Sequence, residues 1–513
     1  MSSTQPAAGA VEPGRSAEAH GNLIGGAETP ARDGRTFESR NPAHRSDVVG
    51  VFPRSGAADV DDAVSAAQRA FEAWRSTPWP ERAEVILRAS LLLEQRKEEL
   101  ARVMTREMGK VLTEARGDVQ EAIDMGTFIA GEGRRAYGET VPSELRNKWA
   151  MTMRQPFGVV GCVTPWNFPI AIPSWKIFPA IMAGNTVVLK PAEDTPLCAQ
   201  RFVDSLVDAG LPPGVVNIVY GFGEEAGDAV VRHPDVAAVY FTGSVATGRI
   251  VSEICGRMLK KCSLELGGKN AIVVLDDADV DMAVEGALWG AFGTSGQRCT
   301  ASSRLIVEQP VLDAFTSRLV ERASKLRVGD GLEEGVEVGP IINETQLKRV
   351  HSYTRIGRDE GATLALGGEI ATGQALDEGY FYRPTVFTGV RPSMRIAQEE
   401  IFGPTTAVIP VASLDDALEA ANSTHYGLSL SVYTNDLRKA FRAIHDLHAG
   451  IVYVNAPTIG AEIQLPFGGT RDTGNGHREA GGRVLDEFSE WKSIYIDYSG
   501  RLQRAQIDTE RVQ

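Results

Sequence analysis

The stretch FGVVGCVTPWNFPIAIPSWKIFPAIMAGNTVVLKP, residues 157–191, decides the fold class. It opens on a short apolar run rich in β-branched residues, 159–163, and breaks at Thr164-Pro165. A segment of helical length, 173–183, then leads through Gly184 to a second β-branched run, 186–189. Strand, helix-length crossover and strand form the grammar of a parallel pair, because parallel strands cannot be joined by a tight turn. The grammar repeats downstream, where runs 215–219 and 236–241 alternate with helical segments 197–209, 225–232 and 246–258. Right-handed crossovers put helices on both faces of such a sheet, so the expectation is a doubly wound α/β unit. Ligands of these sheets sit beyond the carboxyl ends of the strands. That directs attention to loops 164–169, 190–196 and 242–248.

Toward the N-terminus, Val60, Val64, Ala67, Phe71 and Trp74 recur at spacings of three and four, which predicts one buried helix face. A second helical run, 81–110, is expected to bury Val85, Leu92, Val103 and Met104, and a third covers 113–136. Toward the C-terminus a long helix, 280–292, ends in the loop 293–299. A second α/β alternation follows, with a strand at 304–307 and a helix at 311–326. Further strands are expected near Val386 and at 407–411, 428–434 and 450–455. Two strand-like segments, WAMTMR (149–154) and WKSIYIDY (491–498), have no local partner and are expected to pair with each other. The fold class read from this is α/β, with two doubly wound, Rossmann-like domains and a small β element that serves oligomerisation.

At 513 residues the chain exceeds what one hydrophobic core organises, which agrees with more than one domain. A formal net charge of −14 argues against nucleic acid or an anionic membrane surface as the main partner. Cys162, Cys198, Cys255, Cys262 and Cys299 form no CxxC pair, which suits free thiols in a reducing cytosol. Cys162 and Cys262 fall within strands and read as packing residues. No run approaches the roughly 20 apolar residues of a membrane helix. Residues 1–20 are rich in Ala, Ser, Pro and Gly and lack the apolar core of a secretion signal. They read as a disordered leader on a cytoplasmic protein. His445 and His448 could share a helix face, but no third ligand accompanies them, and no metal site is expected.

Three local signals carry chemistry. In Gly293-Thr-Ser-Gly-Gln-Arg-Cys299-Thr300 a cysteine follows two glycines in a turn that could expose its sulfur, although a free cysteine is more often inert filler. In Leu264-Glu265-Leu266-Gly267-Gly268-Lys269-Asn270 a carboxylate lies between apolar neighbours, which raise its pKa toward general-base use. The plainer reading is an edge-strand glutamate facing water. In Val163-Thr-Pro-Trp-Asn167-Phe-Pro an asparagine beyond a buried strand can donate an amide N–H, or simply shape a turn.

Together these segments resemble the aldehyde dehydrogenase superfamily, and the resemblance runs from about Asn22 to Tyr498. Phe157-Gly-Val-Val, Lys190-Pro-Ala-Glu193, Phe241-Thr-Gly-Ser244 with Gly248, Glu399-Glu400-Ile-Phe402-Gly-Pro404, Tyr426-Gly-Leu and Pro466-Phe467-Gly-Gly match in order. The resemblance implies an NAD(P)-dependent, hydrolytic enzyme that oxidises an aldehyde to a carboxylic acid. Cys299 would attack the aldehyde as thiolate, and Asn167 with the Cys299 backbone N–H would stabilise the oxyanion. Losing one such donor typically costs about 2.7–4 kcal/mol of barrier. Glu265 would activate the water that hydrolyses the thioester, with Lys269 in proton relay.

For the cofactor, the resemblance implies Thr164, Pro165, Trp166, Lys190, Glu193, Gly223, Gly243, Ser244, Gly248, Glu400 and Phe402. There is no GxGxxG; instead Gly243-Ser244 and Gly248 open a helix whose N-terminus suits a pyrophosphate. A carboxylate at Glu193 should repel a 2′-phosphate, so NAD is favoured over NADP. Phe168, Trp175, Trp289, Arg298, Thr300 and Phe467 would line the substrate pocket. The domains implied are 21–140 with 156–268 for NAD, 269–480 for catalysis, and 141–155 with 486–500 for assembly as a homodimer or homotetramer. Arg471 and Thr473 stand where Lys and Ser are frequent, His477 reads as an insertion, and Val245-Ala246-Thr247 lacks a frequent Thr-Glu pair. These departures leave the substrate open. Two alternatives remain: a CoA-acylating dehydrogenase, against which Glu265 argues, and a non-catalytic relative, against which the intact set of Cys299, Glu265 and Asn167 argues.

Overall fold

The strand Val159–Val163 is buried along its whole length and sits in the middle of a seven-stranded sheet. A computed structural model describes residues 18–508 of the chain. In the first sheet the order is Lys261–Glu265, Val236–Thr242, Val159–Val163, Thr186–Lys190 and Val216–Ile218, all parallel. Two antiparallel strands, Asn22–Ile24 and Ala27–Thr29, complete it. In chain order the five parallel strands read 5-4-1-2-3. The direction of winding therefore reverses between Val159–Val163 and Val236–Thr242, which is where such sheets bind their ligands.

A second seven-stranded sheet runs Thr363–Leu366, Thr385–Thr388, Thr405–Val411, Ser302–Glu308, Asn270–Val274, Ser429–Tyr433, Ile451–Val454. All its pairs are parallel except the first. The strand Asn270–Val274, which the sequence pattern alone does not mark, is fully buried inside it and begins five residues after Glu265. The chain thus passes from the edge strand of one sheet into the interior of the other through Leu266-Gly267-Gly268-Lys269.

The expected helix 81–110 is two helices, Trp79–Gln95 and Lys97–Met108, broken at Arg96. That break rotates the apolar stripe, so Leu93 and Leu100 are fully buried while Leu92 and Val103 are only half-buried. The expected helix 225–232 begins as a wider turn, Gly223–Gly227, before Asp228–Arg232. The helix Val280–Phe292 has the expected bounds. The segments 149–154 and 491–498 do pair: Lys148–Gln155 and Glu490–Asp497 run antiparallel with Trp491 opposite Arg154 and Ile496 opposite Trp149, and Thr140–Pro142 joins the other edge.

The leader read over residues 1–20 falls outside the described residues up to residue 17. Its last three residues are pinned: Ala19 bridges Val51, the His20 N–H donates to the Val51 carbonyl at 2.9 Å, and the His20 ring stacks on Phe52 at 4.6 Å. Among the described residues no helix is long and apolar enough to cross a membrane, and no three His, Cys, Asp or Glu side chains converge as a metal site.

Candidate active site

The loop between the helix Val280–Phe292 and Cys299 is held in an unusual backbone. Thr294 and Ser295, neither of them glycine, have φ of 52° and 55° in the left-handed region, followed by Gly296 at 67°. Such conformations cost of order 1–3 kcal/mol each and persist only where the surroundings over-determine them. Here they do. Glu114 accepts the Thr294 N–H at 2.7 Å and its hydroxyl at 2.8 Å, and the Ser295 hydroxyl donates to the Gly339 carbonyl at 2.7 Å. The Gln297 amide donates to Pro340 at 3.2 Å and accepts from Ile342 at 3.0 Å. The outcome is a half-buried Cys299 on a rigid turn.

Asn167 follows the central strand Val159–Val163, and its side-chain amide donates to the Gln297 carbonyl at 3.1 Å, so the loops from the two sheets meet beside the cysteine. The Asn270 amide donates to the Cys299 carbonyl at 2.7 Å. The double glycine is explained by crowding on both sides. A Cβ at Gly267 would overlap the Glu400 carboxylate, and one at Gly268 would overlap the Cys299 carbonyl. Burial, then the carboxylates of Glu400 and Glu265, push the Cys299 thiol up to about 12.

Glu265 ends an edge strand, as the plainer reading required, but it does not face water: the residue is 4% exposed. Neither of its carboxylate oxygens has a hydrogen-bond partner among the described residues. Burial, with Glu479 beside it, raises its pKa well above the usual carboxylate range, and Lys176 and Arg478 oppose the rise. Lys176 and Glu479 are themselves a buried ion pair. Motif reading misses both; Lys176 sits inside an apolar helix where a lone lysine needs a buried partner, and that is the one signal the sequence offers.

Lys269, expected to relay protons for Glu265, is not among the charges acting on it. The chain turns through Gly267-Gly268 between the two residues. The Lys269 amine is buried without a hydrogen-bond partner among the described residues and is lowered to about 7 by burial and Arg304, with Glu400 and Glu399 opposing.

The remaining expected residues fall into two groups. On the cofactor side, the Thr164 N–H donates to the Lys190 carbonyl at 3.1 Å, and Trp166, beyond Pro165, packs edge-on against Phe402 at 5.3 Å. Lys190 and Glu193 pair at 2.9 Å. The Gly243 N–H donates to the Glu265 carbonyl at 3.0 Å, tying that loop to the strand end at Glu265. Ser244 caps the helix Val245–Met258 by accepting the Thr247 N–H at 3.2 Å, and that helix has no acidic residue in its first turn. A Cβ at Gly248 would collide with Leu266, so the helix start lies directly on the strand that carries Glu265. Gly223 is exposed and open to solvent. Glu400 accepts the Gly268 N–H at 2.8 Å, and burial raises its carboxyl to about 7.

These features fit a dinucleotide: exposed helix-start N–H groups for a pyrophosphate, an ion pair at the next strand end for a ribose, and a carboxylate and an aromatic ring between them and Cys299. On the substrate side, Trp175 packs edge-on against Phe467 at 5.0 Å. The Arg298 guanidinium stands 5.2 Å from each of the Phe168 and Trp289 rings. The Thr300 carbonyl accepts from Thr458 at 2.6 Å. Thr473, one of the departures, supports the same turn: its hydroxyl donates to the Gly267 carbonyl at 2.9 Å and its carbonyl accepts the Leu266 N–H at 2.7 Å.

Residues 29–494 match the family model described as "Aldehyde dehydrogenase family". An alpha-ketoglutaric semialdehyde dehydrogenase of Bacillus subtilis is 41% identical, over 93% of this chain and 97% of its own length. An alpha-ketoglutarate semialdehyde dehydrogenase of Haloferax volcanii is 42% identical, over 93% and 99%. Among solved structures, a betaine aldehyde dehydrogenase from Staphylococcus aureus in complex with NAD+ superposes with a TM-score of 0.92 at 33% identity, covering 94% of this chain and 95% of that one.

Proposed function

The chain belongs to the aldehyde dehydrogenase family, and from that premise we propose that Cys299 is the nucleophile of an NAD-dependent oxidation of an aldehyde to its carboxylic acid. The observation that carries the assignment is the meeting of Cys299, the Asn167 amide and the unpaired carboxyl of Glu265 at one loop crossing between two sheets. A thiol held up to about 12 offers little thiolate at neutral pH, so attack needs a base. Glu265 takes that proton. The Asn167 side-chain N–H and the Cys299 backbone N–H then donate to the oxyanion as Sγ bonds to the carbonyl carbon.

NAD, when bound, supplies the hydride acceptor that turns the adduct on Cys299 into a thioester. Glu265, once it has released the thiol proton to solvent, takes a proton from the water that attacks the thioester carbon, and Cys299 leaves as thiolate. Burial raises the proton affinity of Glu265 most, and the buried Lys176–Glu479 pair adjusts it with opposite signs.

Lys190, Glu193, Gly223, Gly243, Ser244 and Gly248 hold the adenosine diphosphate half, with Thr164, Pro165 and Trp166 along the adjoining loop and Glu400 and Phe402 at the nicotinamide ribose. The Lys190 charge is already matched by Glu193, which leaves no free cation there for a 2′-phosphate and favours NAD over NADP. The same reading assigns 21–140 and 156–268 to the cofactor, 269–480 to catalysis, and the ribbon of 141–155 with 486–500 to self-assembly. Five free thiols agree with a reducing, cytoplasmic setting.

Incubation with propanal and NAD, with and without CoA, tests the reading. NADH and propanoate are expected in equal amounts, at a rate that CoA leaves unchanged. NADH formed only with CoA, together with propanoyl-CoA, contradicts it.

A further inference from the structure

We propose that Arg298 binds a carboxylate at the far end of the substrate, so that the substrate class is a short aldehyde acid; this rests on the catalytic assignment of Cys299 above. Arg298 is the chain neighbour of Cys299, and its guanidinium lies over Phe168, the neighbour of Asn167. Arg298 is also among the charges acting on the Cys299 thiol, which puts a group it holds near a carbonyl carbon seated between Cys299 and Asn167. The side chain is 12% exposed. Its Nε donates to the Thr294 hydroxyl at 2.9 Å, while Nη1 and Nη2 make no hydrogen bond among the described residues. A partly desolvated guanidinium with two unused donor groups in a fixed fork matches a carboxylate bidentately, in a way no neutral tail can.

The charges around it are partly taken up by other partners. Lys110 and Asp118 form a fully buried pair at 2.8 Å, and Asp118 also accepts the Ala171 N–H at 2.8 Å. Glu114 accepts the N–H and hydroxyl of Thr294 through one oxygen, and that oxygen forms a long ion pair with Arg298 Nη2 at 3.9 Å, a charge contact that leaves the Nη hydrogens undonated. Burial and Asp118 push the Glu121 carboxyl up to about 8, so it keeps its proton at neutral pH. The aromatic faces argue against a cationic tail. Phe168 and Trp289 could otherwise stack on an ammonium, but Arg298 covers both at 5.2 Å and the Lys110 amine stands 3.8 Å from the Phe168 ring. Trp175 and Phe467 supply apolar wall for the intervening methylenes.

The test compares kcat/KM for 4-oxobutanoate, for its methyl ester, which removes the charge and adds one methyl group, and for betaine aldehyde. In the parent enzyme the acid is expected to exceed the ester at least tenfold, with betaine aldehyde below both. In Arg298→Gln the acid-to-ester ratio is expected to fall to near one, mostly through KM, and in Arg298→Lys to lie between. The ratio is read whatever each variant does to the separate rates, and the Lys variant answers if the Gln variant does not fold. A parent ratio near one, a ratio that survives both substitutions, or a preference for betaine aldehyde overturns the proposal. No NADH from even the ester removes the catalytic assignment instead, and the proposal with it.

Discussion

Glu265 is buried and neither of its oxygens is hydrogen-bonded among the described residues, an arrangement that opposes folding whenever the group is charged. The sign of its pH dependence follows from linkage. The folded state holds the Glu265 proton more tightly than the unfolded chain does, because burial raises its pKa. Stability from this site is full below the ordinary carboxyl pKa and declines as pH rises toward the folded value. Every tenfold gain in proton affinity on folding corresponds to about 1.4 kcal/mol. Glu265→Gln is therefore expected to raise Tm relative to the parent at pH 8 and to leave it nearly unchanged at pH 4. Calorimetry at the two values checks this; a variant less stable than the parent at pH 8 contradicts it. Activity runs the other way, since only the ionised carboxylate is a base, so the same substitution removes turnover while it stabilises.

At the scale of elements, the helix Val245–Met258 and the strand Lys261–Glu265 meet at Gly248, with Leu266 just beyond the strand. Gly248→Ala forces the buried Leu266 to move, and overpacking of this kind costs about 1–3 kcal/mol. The start of the helix shifts off the sheet, so KM for NAD is expected to rise about tenfold while kcat at saturating NAD falls less. Unchanged KM for NAD contradicts the role given to this helix. The strand–helix alternation was legible because buried parallel strands and amphipathic helices carry distinct periods, and the pairing of 149–154 with 491–498 because each lacked any other partner. The break at Arg96 was not legible, because neither glycine nor proline marks it. The strand Asn270–Val274 was hidden behind the Gly267-Gly268 turn. The left-handed Thr294 and Ser295 carry no sequence mark either, because what holds them is distant in the chain: Glu114 for Thr294 and the Gly339 carbonyl for Ser295.

For the whole molecule, the ribbon formed by Lys148–Gln155 and Glu490–Asp497 leaves apolar surface uncovered: Trp149 is 56% exposed and Tyr495 67%, with Trp491, Ile496 and Met153 beside them. A twisted edge with such side chains invites another copy. Light scattering is expected to give a dimer or tetramer for the full chain and a smaller species for a chain ending at Ser489. A monomeric full-length protein, or a truncation without effect, contradicts the assignment. The proposed mechanism turns on one covalent bond. Glu265→Gln is mixed with NAD and propanal at pH 9, where solvent base ionises more of the thiol, and quenched by acid after minutes. It is expected to carry one propanoyl group on the peptide containing Cys299, seen by mass spectrometry, because slow attack still proceeds while hydrolysis lacks its base. No adduct is expected when NAD is left out. Normal turnover and an unmodified Cys299 would show that neither the nucleophile nor the base is the residue named here.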